Sequence, residues 1–79
     1  MERNEIIAQV KQILKTALNH ENFEMSETLS ATDVDGWDSL SHMIIISKVE
    51  KQFSITFKLK ELNKMKNMGD MLDLIASKL

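Results

Sequence analysis

The absence of proline most constrains what this chain can fold into, because no residue forces a break in a helix. Only two glycines, Gly36 and Gly69, are present, whereas Leu, Ile, Met, Lys and Glu, which favour helices, are abundant. Folds built from short strands and tight turns depend on glycine and proline at the turns. The chain is therefore expected to be all-α.

Length and cysteine content limit how the fold can be stabilised. A chain of 79 residues can close one small core, so a single domain spanning residues 1–79 is expected. The hydrophobic fraction of 43% is too high for a disordered tail. Because there is no cysteine, neither disulfides nor thiolate-bound zinc can add stability, and core packing must suffice.

The spacing of apolar residues predicts three main helices and one short helix. These are helix 1 from Asn4 to Leu18, helix 2 over Leu40 to Phe53 after a cap at Asp38 and Ser39, a short helical turn around Leu59 to Met65, and a last helix capped by Asn67, with Met68, Met71, Leu72, Ile75 and Leu79 on one face. A short strand-like link is expected over residues 54–57. The helices should pack as a small four-helix bundle.

Residues 19–38 show no sustained apolar period and predict a long loop between helices 1 and 2. Loops of this length in compact domains tend to be functional or disordered. Phe23, Leu29, Val34 and Trp37 lie within this segment, so the loop is expected to be held against the core.

Charge is distributed unevenly along the chain. The formal net charge is -2, but residues 21–38 hold six acidic residues and no Lys or Arg, whereas residues 48–66 hold six lysines and two glutamates. So small a net charge does not favour nucleic-acid binding, and each stretch can simply be a solvated surface. The longest apolar run, Met43–Ile46, is too short to span a membrane, and the N-terminus lacks a signal-peptide core. A cytoplasmic location is expected.

Ser39 is the candidate functional residue. It follows Asp38 at the predicted start of helix 2, directly after the acidic loop. Asp and Ser are ordinary helix caps, which is the simpler interpretation. A serine hydroxyl in this place can also carry a phosphodiester, because the anion would meet unpaired backbone N–H groups and the positive end of the helix dipole.

The run Gly36-Trp37-Asp38-Ser39-Leu40 resembles the attachment motif of the acyl carrier proteins and related phosphopantetheine carriers. The resemblance covers essentially the whole chain and includes Ile45, Val49, Glu50 and Phe53 on helix 2 and a capped last helix that opens at Asn67 and carries Asp70 and Ile75. An Asp-Ser-Leu tripeptide alone is a weak signal, so the resemblance depends on the long loop followed by a helix.

The resemblance implies a non-catalytic, monomeric carrier. In that family a separate phosphopantetheinyl transferase moves 4′-phosphopantetheine from coenzyme A to a serine, and the terminal thiol carries acyl groups as thioesters between acyl-loading and acyl-transfer enzymes. Ser39 matches that serine. The resemblance also implies that Asp38 helps the transferase and its metal to engage the carrier, and that an acyl chain lies between helices beside Leu40 and Ile45.

Helix 2 departs from the pattern of fatty-acid carriers, which usually present acidic residues to basic partner enzymes. Residues 41–51 are barely acidic here. This difference, together with Trp37, favours a dedicated carrier in a specialised polyketide, peptide, polysaccharide or lipid-modification pathway over housekeeping fatty-acid synthesis. Since Ile44 lies about 180° around the helix from Phe53, it is expected to face solvent. The expected partner-binding residues are Trp37, Met43, Ile44, Ser47 and Lys48.

Other kinds of site fit the sequence less well. If Asp33 opened a calcium loop, the required glycine and the closing glutamate would fall on Asp38 and Ile44, so the motif fails. Ser39 and His42 could act as nucleophile and base, but no third group or oxyanion hole is evident.

The histidines and methionines also have simple explanations. His20 and His42 have no ligand partners at metal spacing. The six methionines could line a soft acyl cavity, but methionine at helical spacing is more often part of the core.

Two alternative functions share the expected fold. An aminoacyl or peptidyl carrier would use Ser39 in the same way. A helical interaction module that binds a partner without modification would not need Ser39 at all.

Overall fold

Four α-helices and one 3-10 turn make up the computed structural model of the protein, which describes residues 1–79 and contains no strand. The elements are α1 (Arg3–Leu18), the 3-10 turn (Ala31–Asp33), α2 (Ser39–Phe53), α3 (Leu59–Lys64) and α4 (Met68–Lys78). The predicted all-α fold with three main helices and one short helix is confirmed.

Two helices end on residues in the left-handed region instead of on a proline or glycine. Asn19 follows α1 with φ 61°, and its N–H donates to Lys15 O at 2.9 Å. Ser54 follows α2 with φ 55°, and its N–H donates to Glu50 O. Both bonds satisfy carbonyls that would lack partners at a helix end. The chain can therefore stop its helices without the usual breaking residues.

The strand-like link expected over residues 54–57 is wrong. After Ser54 turns the chain away from α2, Phe57 N–H donates to the side chain of Glu50, with 2.9 Å between nitrogen and Oε2. Ile55 N–H likewise returns to Glu50 O at 3.0 Å. Since the backbone bonds return to α2, no second strand pairs with this segment.

The core is a single cluster of fifteen buried apolar residues. It contains Ile6, Val10, Ile13 and Leu14 from α1; Ile45, Ile46, Val49 and Phe53 from α2; Met68, Met71, Leu72 and Ile75 from α4; and Leu29, Val34 and Phe57 from the connections. The buried methionines belong to this packed core, as expected. Leu79 does not, because it lies beyond the end of α4 and is 51% exposed.

Residues 19–38 are tied to the start of α4 through the backbone. Met68 N–H donates to Leu29 O at 2.7 Å, and Gly69 N–H donates to Glu27 O at 2.8 Å. A Cβ atom on residue 69 would lie 3.0 Å from Glu27 O, so glycine allows this close approach. The path of the loop towards α2 is thus fixed by contacts with a distant helix.

Candidate functional site

Asp38 begins α2 as its N-cap residue. Its Oδ1 accepts a hydrogen bond from Ser41 N–H at 2.9 Å, which satisfies one of the unpaired donors of the first turn. This bond to Ser41 is the largest cause that lowers the pKa of the Asp38 carboxyl below its usual value. The residue beside Ser39 is therefore an ionised carboxylate at neutral pH.

The turn before α2 is fastened to the first turn of the helix. Gly36 has φ 83°, a conformation that glycine adopts readily. The carbonyl of Gly36 accepts a hydrogen bond from the Ser41 hydroxyl at 2.7 Å. Together with the Asp38 cap, this bond fixes the direction in which the chain enters α2.

Ser39 occupies the first position of α2 and is exposed. Since Asp38 supplies the cap and Ser41 donates to Gly36, the Ser39 hydroxyl has no hydrogen-bond partner in the protein. The first bond of the α2 ladder runs from His42 N–H to Asp38 O at 2.9 Å. The N–H groups of Ser39 and Leu40 precede that bond, so the free hydroxyl lies at the positive end of the helix dipole.

A groove of about 570 Å³ opens at Ser39. It is lined by Ala31, Trp37, Asp38, Ser39, His42 and Met43. A narrow cavity of about 50 Å³ has Ala31, Trp37 and His42 in common with this groove and also reaches Leu29, Met65 and Met71. Trp37 and His42 therefore lie at the boundary between an open groove and a narrow cavity.

Trp37 and His42 form a hydrogen-bonded pair. Trp37 Nε1–H donates to His42 Nδ1 at 3.1 Å, and the two rings stack with centroids 6.1 Å apart and planes 25° apart. Partial burial lowers the pKa of His42, so the imidazole is neutral at pH 7. Because Nδ1 accepts the indole proton, the proton of the neutral ring resides on Nε2.

Leu40 and Ile45, beside which the resemblance implies an acyl chain, lie in different environments. Leu40 is 72% exposed, whereas Ile45 is completely buried. Neither residue lines a cavity in this structure. Met65 and Met71 are among the residues that line the narrow cavity beside Trp37.

The other predicted partner-binding residues share one exposed face of α2. Met43, Ile44, Ser47 and Lys48 line a shallow groove of about 390 Å³ together with Lys51. Ile44 is 41% exposed, which agrees with its expected position opposite Phe53. Lys48 and Lys51 form no salt bridge within the chain. Trp37 lies beside Ser39 and shares the groove there with Met43.

Both histidines are engaged in hydrogen bonds within the protein. His20 Nε2–H donates to Asp35 O at 2.6 Å, and its Nδ1 accepts from Asn22 N–H at 3.0 Å. His42 is bonded to Trp37 and not to Ser39, so the structure does not show a serine nucleophile with its base. No cluster of three or more His, Cys, Asp or Glu side chains suited to a metal ion is present. None of the four helices has the length and apolar character needed to cross a membrane.

The fold is shared with the solution NMR structure of holo acyl carrier protein from Geobacter metallireducens. The two superpose with a TM-score of 0.85 and are 38% identical, over 91% of this chain and 83% of that chain. The chain belongs to the acyl carrier protein family. No protein-family model and no curated protein match the sequence.

The sequence did not indicate that His42 and Ala31 line the groove at Ser39. One signal was available for His42, because it follows Ser39 by three residues and so lies on the same face of α2. No comparable signal exists for Ala31. Its place in the groove depends on how the loop folds back towards α2.

Proposed function

We propose that this protein carries acyl groups as thioesters on a 4′-phosphopantetheine arm attached to Ser39. The observation that carries the proposal is the exposed, unbonded Ser39 hydroxyl at the first turn of α2, opening into a groove. Membership of the acyl carrier protein family and the holo state of the Geobacter metallireducens relative support it. The chain itself is proposed to be non-catalytic and monomeric and to work in the cytoplasm.

Ser39 supplies the nucleophile for attachment. On a separate phosphopantetheinyl transferase, Ser39 Oγ attacks the phosphorus of coenzyme A that bears the pantetheine. A new P–O bond forms, the P–O bond to adenosine 3′,5′-bisphosphate breaks, and the hydroxyl proton passes to a base of the transferase. The helix dipole favours the resulting anion by about 0.3–1 kcal/mol. When bound, the group supplies a thiol on which acyl groups are held as thioesters.

Asp38 is suited to help the transferase engage the carrier. Its Oδ1 is held by Ser41 N–H, which fixes the orientation of the carboxylate next to Ser39. Its low pKa keeps the group charged at neutral pH. A carboxylate oxygen that is not needed for the cap can then coordinate a divalent metal brought by the transferase.

Partner enzymes are proposed to dock on the α2 face formed by Met43, Ile44, Ser47 and Lys48. This face is apolar and basic, since Met43 is 58% exposed and Lys48 forms no salt bridge within the chain. A surface of this kind supports a dedicated carrier in a specialised biosynthetic pathway. Trp37, which shares the groove at Ser39 with Met43, borders this face and remains a proposed partner-binding residue.

Intact-mass measurement tests the attachment site. The wild-type protein, coexpressed with a promiscuous phosphopantetheinyl transferase, should gain the mass of one phosphopantetheine group. Ser39→Ala should remain folded by circular dichroism and gain none, because only Ser39 combines the Asp-Ser-Leu context with an unbonded hydroxyl at a helix start. Ser77→Ala is the matched control, since it removes an exposed serine from α4, away from the docking face, and should be fully modified.

Two outcomes contradict the proposal. One is modification of Ser39→Ala. The other is wild-type protein that stays unmodified in the presence of coenzyme A, magnesium and an active transferase, which would favour the unmodified interaction module.

A further inference from the structure

We propose that Trp37 and His42 form a seat for the first part of the prosthetic arm. In this arrangement the arm runs along the groove at Ser39, its dimethyl carbon packs against the indole of Trp37, and a phosphate or amide oxygen accepts a hydrogen bond from His42 Nε2–H. The inference rests on the proposed attachment at Ser39.

The position of Ser39 places the start of the arm inside this groove. Ser39 and His42 are three residues apart on α2, so their side chains lie on the same face of its first turn. Both line the groove, with Trp37 on the chain just before Asp38. A group joined to Ser39 Oγ therefore begins within reach of both rings.

The indole of Trp37 is ordered before the arm arrives. Its N–H is bonded to His42 Nδ1 and its ring is stacked on the imidazole, so its orientation is fixed by two contacts. An ordered aromatic surface loses little conformational entropy when an apolar group packs on it. The pair is thus preorganised to hold the branched, apolar part of pantetheine.

His42 offers the matching polar contact. The indole occupies Nδ1, and the remaining nitrogen, Nε2, carries a proton that has no acceptor in the protein. A hydrogen bond from such a donor to an anionic phosphate oxygen is stronger than one between neutral groups. The groove therefore presents an apolar wall and a side-chain donor, which suits the phosphate, dimethyl and amide groups that follow one another along the arm.

The charges around His42 make attachment detectable. The ionisable side chains that line the two spaces beside it are Asp38 in the groove and Lys66 in the narrow cavity. Both are present with and without the arm. A phosphodiester on Ser39 adds one negative charge, which favours protonated His42 and raises its pKa.

Apo and holo wild-type protein are compared to test the seat, with complete modification established by intact mass. NMR titration should show the pKa of His42 higher in the holo protein by about 0.5 unit. Acrylamide quenching of Trp37, the one tryptophan, should be weaker in the holo protein.

His42→Phe removes the ring nitrogens while it keeps an aromatic ring, and the Trp37 quenching difference between apo and holo forms should shrink. An unchanged difference would overturn the role of His42. Equal His42 pKa values and equal Trp37 quenching in apo and fully modified wild-type protein would overturn the seat and leave attachment at Ser39 intact. Wild-type protein that is never modified would overturn both proposals.

Discussion

Asp38 sets both the start of α2 and the charge beside Ser39. Its carboxylate is the cap for Ser41 N–H, and the same bond keeps the acid ionised. The capping interpretation and the functional interpretation of this residue are therefore compatible. A cap that fixes α2 also fixes the direction in which Ser39 is presented.

Removal of the Asp38 cap should produce a pH-dependent loss of stability. Asp38→Ala should lower the melting temperature by about 5 °C at neutral pH. The folded-state pKa is lower than the unfolded value of about 3.9, so the stabilisation is present above that value and is lost as the pH falls through the folded pKa. The difference in melting temperature between wild type and Asp38→Ala should thus be constant near neutrality and shrink below about pH 4.

Thermal melts followed by circular dichroism from neutral to acidic pH measure this gap. Asp35→Ala is the matched control, because it removes another exposed carboxylate three residues away and should change the melting temperature little. A gap for Asp38→Ala that grows on acidification would show that the carboxylate does not stabilise the start of α2.

At the scale of the element, α2 presents two opposite faces. Ile45, Ile46, Val49 and Phe53 are buried, while Met43, Ile44, Ser47 and Lys48 are exposed. The spacing of about 3.6 residues per turn separates the two groups. The helix can therefore hold the core with one face and meet partner enzymes with the other.

Ile44→Glu should weaken docking without unfolding the protein. A charge at this partly exposed position would oppose an apolar partner surface, so kcat/KM for the enzyme that loads this carrier should fall about tenfold, near 1.4 kcal/mol. The melting temperature should be nearly unchanged. Leu59→Glu on α3, where the side chain is 74% exposed, is the control and should load normally.

Equal loading of wild type and Ile44→Glu would remove Ile44 from the interface. A large fall in melting temperature would instead show that its side chain contributes to the core.

The two faces of α2 could be predicted from the sequence because helical periodicity is a local property. The path of residues 19–38 could not, since it depends on bonds between distant residues, such as Leu29 O with Met68 N–H. The Trp37–His42 bond joins residues only five positions apart, but it spans the turn at Gly36 into α2, whose geometry helical periodicity does not describe. Leu40 is apolar, but it is exposed because it lies in the first turn of α2, and its residue type alone could not predict this.

At the scale of the whole molecule, one core draws on all the main helices and on the loop. Ion pairs on the surface also link these parts of the molecule. Arg3 of α1 pairs with Glu27 of the loop at 2.6 Å and with Asp73 of α4 at 2.9 Å. Exposed pairs of this kind contribute little free energy. Stability must therefore come mainly from the buried side chains.

Phe53→Ala should remove a large part of that stability. Phe53 is buried at the end of α2 and belongs to the core, so its truncation should cost about 3–5 kcal/mol. Small domains have only about 5–15 kcal/mol in total. Urea denaturation measures the loss, with Phe23→Ala as control, because Phe23 is only partly buried and should cost less.

A Phe53→Ala variant that melts within a few degrees of wild type would show that the side chain has little packing energy. Such a result would place the stabilising contacts of α2 nearer its start.

The rate of hydrogen exchange at the first amides of α4 should depend on opening of the loop and not on unfolding of the helix. The first amides of a helix usually exchange with solvent readily, because they have no acceptor within it. Met68 N–H and Gly69 N–H are instead held by Leu29 O and Glu27 O. Deuterium can therefore enter these two positions when residues 27–29 separate from α4. Exchange at two amides of the last helix thus measures how often the segment leading to Ser39 opens.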